Sequence, residues 1–74
     1  MMIKVGYYNN DQYGNLASEK IAVEQFFIQS GSEIDWRFAN DHHLFGIAYL
    51  IDERALAYMR TQFPSKRNFF EIKA

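Results

Sequence analysis

The side chains best suited to chemistry are His42 and His43, with Asp41 adjoining them and Asp35 the other nearby carboxylate. A zinc site needs three or four ligands converging on one ion. Neighbouring residues of an extended strand point to opposite faces, and the sequence has no H-x-x-x-H or H-E-x-x-H spacing. A histidine acting as general base needs a nucleophile, yet none of Ser18, Ser30, Ser32 and Ser65 lies in a G-x-S-x-G elbow. Glycines 6, 14, 31 and 46 are too widely spaced to form a phosphate-cradling loop. There is no cysteine, which excludes thiolate nucleophiles, thiolate metal sites and disulfides. Scattered acidic residues always yield some pair of carboxylates, and so short a chain has little room for a deep pocket. The expectation is a non-enzyme with no catalytic residue, no metal and no cofactor. In that reading Asn40-Asp41-His42-His43 closes a hairpin, with Asn40 and Asp41 supplying the turn chemistry.

The elements around that corner follow from hydrophobic periodicity. Residues 2–8 read as a strand in which Ile3, Val5 and Tyr7 alternate with Lys4, Gly6 and Tyr8. Residues 9–15 are rich in Asn, Asp and Gly and form a turn or loop. Residues 16–30 contain good helix formers without proline or glycine; Asn15 is placed to cap the start and Gly31 the end. In residues 33–39, Ile34, Trp36 and Phe38 alternate with Asp35, Arg37 and Ala39. Residues 44–51 form a third strand, apolar on both sides. Asp52 is a good N-cap for a helix over 53–63 with Ala55, Leu56, Met59 and Phe63 on one face, and Pro64 stops it. Residues 68–73 make a last short strand. The order strand, helix, strand, strand, helix, strand predicts a single α+β domain over residues 1–74. Its form is a ferredoxin-like βαββαβ two-layer sandwich: a four-stranded antiparallel sheet, order 4-1-3-2, with both helices on one face. The predicted core includes Val5, Ile21, Phe38, Ile47, Leu56, Met59 and Phe63.

With 74 residues the chain builds one small core, and the 18% of aromatic residues supply large buried areas in place of a disulfide or metal staple. Formal net charge is −1. A protein that binds nucleic acid through its phosphates is usually strongly basic, so the balance disfavours a nucleic-acid partner. No apolar run is long enough to span a membrane, and residues 1–10 lack the apolar stretch of a signal peptide. The expected location is the cytoplasm, in keeping with the absence of cysteine.

Two short stretches resemble known families. His43-Leu-Phe-Gly-Ile-Ala-Tyr-Leu50 resembles the RNP1 strand of RNA-recognition-motif domains; Phe45 and Gly46 match, while Leu44 and Ile47 do not. That resemblance implies single-stranded RNA stacked on exposed aromatic residues. Asp11, Gly14, Leu16, Gly31 and Ile34 fall in the order of the ligand loop and helix of ACT regulatory domains, with Tyr13 where proline is usual. That one implies a dimeric small-molecule sensor of the same topology. Neither stretch assigns the chain to a family.

The leading expectation is a small binding protein that acts by contact with another protein, a homodimer being one form of that contact. By analogy of size and missing chemistry, it resembles phage and mobile-element inhibitors of host systems. The candidate surface is the sheet face away from the helices. With Phe45, Ile47, Tyr49 and Ile51 directed at the helices, that face carries Gly6, Gly46 and Ala48 at its centre. Lys4, Tyr8, Arg37, Phe69, Glu71 and Lys73 then rim it. Tyr8, Arg37, Phe69 and Lys4 are the expected contact residues, being mostly types enriched at interfaces. The first helix carries two apolar stripes, Leu16/Val23/Phe27 near Phe26 and Ala17/Ile21/Ile28, where a helix resting on a sheet needs one. The leading expectation is a single wide buried face from which the Lys20 and Glu24 stems reach out; the alternative is a second contact surface on this helix, around Phe26.

Overall fold

The computed structural model describes residues 2–11, 14 and 16–73. Its elements are β1 (Ile3–Asn10), α1 (Leu16–Gln29), β2 (Asp35–Ala39), β3 (His43–Leu50), α2 (Glu53–Gln62) and β4 (Phe69–Glu71). They form one antiparallel four-stranded sheet of order β2-β3-β1-β4, the expected ferredoxin-like topology. Asn15, read as the cap of α1, lies outside the described residues.

The local signals act as their chemistry requires. The Asp52 carboxylate accepts from the Ala55 amide at 2.9 Å and caps α2. α1 ends in a Schellman turn: Gly31 has φ +83°, its amide donates to the Ile28 carbonyl, and the Ser32 amide donates to the Phe27 carbonyl. Asn40 closes the β2–β3 hairpin, its side-chain oxygen accepting from the amides of His42 (2.7 Å) and His43 (2.9 Å).

Both helices pack on one face of the sheet. Leu16, Val23 and Phe27 of α1 and Ala55, Leu56 and Met59 of α2 meet Ile3, Val5, Tyr7, Leu44, Ala48, Leu50 and Phe69. A run of rings ties the layers together: Phe26 to Phe63 at 5.5 Å between centroids, Phe63 to Tyr7 at 5.2 Å, and Tyr7 to Trp36 at 6.2 Å.

Three expected core residues stand elsewhere. Ile21 is 62% exposed, Phe38 is 52% exposed and Ile47 is half-buried on the far side of the sheet. Phe38 leaves the core because β2 carries a bulge. Trp36 pairs with Gly46 and Phe38 with Phe45, so Arg37 is an extra residue and the faces exchange beyond it. The expected alternation of Ile34, Trp36 and Phe38 therefore breaks between the last two. In β3 the parity is the reverse of the expected one: Leu44, Gly46, Ala48 and Leu50 face the helices, while Phe45, Ile47 and Tyr49 face away.

Candidate functional site: the open face of the sheet

The face away from the helices is built by strand pairing. Residues paired across antiparallel strands share a face. One row therefore runs Phe38, Phe45, Tyr8; the next runs Asp35, Ile47, Gly6, Phe70; beyond it lie Tyr49 and Lys4. Ile72 closes the last row, its amide donating to the Lys4 carbonyl at 2.9 Å. Phe38 (52%), Tyr49 (49%) and Tyr8 (38%) are the most exposed of these apolar side chains. Phe45, Ile47, Phe70 and Ile72 are half-buried. The Phe70 ring crosses over Gly6: a Cβ on that glycine would stand 2.7 Å from the Phe70 Cε2. The surface thus has no hole at Gly6, only an aromatic ring in place of a side chain.

Few charges interrupt this surface. Lys4 is half-buried among the apolar groups. At the β2 edge Arg37 Nε lies 2.9 Å from Asp35 Oδ2, an exposed pair that largely neutralises itself and adds little stability. His43 sits beside the aromatic row, 5.7 Å from the Phe38 ring.

The expected contact residues divide accordingly. Tyr8, Lys4 and Arg37 lie on or beside the open face. Phe69 does not: it is fully buried under the helices, and the member of the pair on the open face is the half-buried Phe70. Gly46 and Ala48, expected at the centre of the open face, are likewise buried on the helix side, and the residues there are Ile47 and Tyr49. Phe26 is half-buried against Phe63 and belongs to the core margin. Phe38, Phe45, Tyr49 and Phe70 were missed as surface residues. The available signal was the clean alternation of β1, which places Tyr8 outward and hence its cross-strand partner Phe45 outward too.

The second stripe of α1 is exposed. Ile21 and Ile28 face away from the core, while Lys20 and Glu24 between the stripes are half-buried, 4.0 Å apart. Glu24 also accepts from the Trp36 indole N–H at 2.7 Å, so its carboxylate holds the tryptophan against the sheet.

A polar cleft of about 350 Å³ opens at the other end, lined by Tyr7, Asn9, Glu19, Phe63, Ser65 and Asn68 among others. Glu19 accepts from the Tyr7 hydroxyl at 3.0 Å and from the Asn9 side-chain amide. Burial, then the Glu19 charge and the hydrogen bond to it, push the Tyr7 phenol well above its ordinary range, with Asn9 opposing in part. An unfolded tyrosine ionises at pH ~10, so Tyr7's contribution to stability is complete below that pH. It is lost as pH rises toward the folded value. Alkaline denaturation followed by tyrosinate absorbance should show Tyr7 ionising with unfolding, and Tyr7→Phe should flatten the fall in stability above pH ~10. A parallel fall in both proteins would remove Tyr7 as its source.

The loop carrying the ACT resemblance is described only in part. The Asp11 amide donates to the His42 carbonyl at 3.1 Å, tying the loop to the hairpin, and Gly14 has φ +80°. Residues 12, 13 and 15 lie outside the described residues. Among the described residues no group of three or more His, Cys, Asp or Glu is placed to hold a metal, and no helix is long and apolar enough to cross a membrane. Comparison with known proteins gives no matching family model, no matching curated protein and no matching solved structure.

Proposed function

We propose that this chain is a small, non-enzymatic binding protein that acts by protein–protein contact through the open face of its sheet. The observation that carries this reading is the joined apolar surface of Tyr8, Phe38, Phe45, Ile47, Tyr49, Phe70 and Ile72. The largest apolar patch on a monomeric protein is commonly about 300–600 Å² and often functional. Aromatic residues with few charges are the composition of an interface core. An inhibitor of a larger protein, of the kind phages and mobile elements direct at host systems, is the form of this activity that suits so small a domain. A cysteine-free composition suits a cytoplasmic setting.

The experiment is affinity capture from lysate with the parent and with Tyr8→Ala combined with Phe38→Ala, followed by titration of the captured protein. Aromatic residues at an interface centre commonly cost about 2 kcal/mol on truncation, so affinity should fall at least tenfold. Equal affinity for the double variant, with loss in Ile21→Lys, would move the working surface to α1.

A second reading has one observation in its favour: Phe38, Phe45 and Tyr8 stand side by side across three strands, as a platform for stacked bases would. Against it, the cations that strand pairing places on or beside this face among the described residues are Lys4 and the already paired Arg37, few for a phosphate-binding surface. If RNA is the ligand, its affinity should fall steeply with salt.

A further inference from the structure

We infer that the occupant of the open face is a second copy of this chain, the two sheets packing face to face. This rests on the reading of that face as a protein-binding surface and names the partner.

Phe38, Tyr49 and Tyr8 are 52%, 49% and 38% exposed, and an aromatic side chain presents roughly 150–250 Å². With the half-buried Phe45, Ile47, Phe70 and Ile72 added, the apolar part of the face comes to about 300–600 Å² per copy, a core that the flanking Lys4, Asp35, Arg37 and His43 extend toward the ~800 Å² per partner of a standard interface. The exposed stripe of α1 offers far less, since Ile21 and Ile28 stand apart with Lys20 and Glu24 beside them.

A two-fold contact brings each surface against itself, so an excess of one sign would repel. Here Asp35 and Arg37 neutralise each other, and Lys4 is the other charged side chain that strand pairing places on the face among the described residues; Glu71, expected on its rim, stands opposite Val5 on the helix side. The whole chain carries only −1. Because Phe70 fills the space over Gly6, the face has the low relief of a sheet surface. Two such surfaces pack about 10 Å apart with strands roughly aligned. The pair would be a four-layer particle, helices outside and two sheets within.

The test is sedimentation equilibrium of the parent from micromolar to millimolar concentration, beside Phe38→Lys combined with Tyr49→Lys. Both positions are half exposed, so the fold tolerates the charges, and a far-ultraviolet spectrum checks it. The parent should be a dimer, and the double variant should raise its dissociation constant about a hundredfold. Ile21→Lys should leave it unchanged. Isotope-filtered nuclear Overhauser contacts in a mixed-label sample of the parent give a readout that needs no variant: they should join Phe45, Ile47 and Tyr49 of one copy to the same set in the other. A parent that stays monomeric overturns the inference while leaving the face open to a different protein, which the capture experiment decides separately. A dimer that survives the double variant, or separates in Ile21→Lys, also overturns it. So does a monomer that binds single-stranded RNA through Tyr8 and Phe45.

Discussion

Replacing Phe69 by alanine should lower the stability of the protein by about 3–5 kcal/mol, the usual cost of deleting a buried phenylalanine. The ring is fully buried between the sheet and the helix layer, 6.2 Å from Phe27 of α1 and 6.1 Å from Phe63 at the end of α2. Its backbone pairs with Tyr7, and the Arg60 guanidinium both donates to its carbonyl at 2.8 Å and stands 5.2 Å from its ring. Removing the ring leaves a cavity where β4 packs against Phe27 of α1 and Phe63 at the end of α2. For a domain whose whole stability is on the order of 5–15 kcal/mol, urea denaturation should show a large fall in midpoint. Phe70→Ala is the control: its half-buried ring lies on the open face, and the loss should be much smaller. Equal losses would mean that the two phenylalanines share the core.

Gly46→Val should cost about 3 kcal/mol, the upper end of what overpacking a core usually costs. A Cβ there would stand 2.6 Å from the Ile34 Cδ1 and Cγ1 and 2.9 Å from the Trp36 Cε3. Trp36 cannot swing aside without giving up its bond to Glu24. Gly46→Ala should be destabilising in the same direction by less. A chemical denaturation midpoint unchanged in both variants would show that Ile34 and Trp36 do not cross over this glycine.

These two positions also mark where the sequence was hard to read. The order of elements was legible because three boundaries carry their own chemistry: Asp52 caps α2, Gly31 ends α1, and Asn40 closes the hairpin. The inward residues of β1 were legible because Lys4 and Tyr8 alternate with Ile3, Val5 and Tyr7. β3 gave no such contrast, since both of its faces are apolar and a shift of one residue exchanges them. Gly46 looked like the centre of an open platform, yet it is the gap that lets Ile34 and Trp36 lie against the sheet. Phe69 and Phe70 are adjacent and identical, so only the pairing of β4 with β1 distinguishes buried from exposed. Phe38 was misplaced because the bulge at Arg37 is set by three-dimensional pairing. The outward placement of Tyr8 and Lys4 followed from the alternation of β1, and the aromatic residues beside them came from register.

The bulge at Arg37 also bears on how readily this sheet could be extended strand by strand. A four-stranded sheet ends in two strands whose outer backbone groups can template a further strand, and such growth has no natural stopping point. On one side β2 is kinked by its extra residue and carries Asp35 and Arg37. On the other, β4 is only three residues long. Neither border presents the long, flat, regular ladder that strand addition needs. A contact through the flat of the sheet differs in kind: it would consume the surface that makes it, and an assembly built that way would be finite.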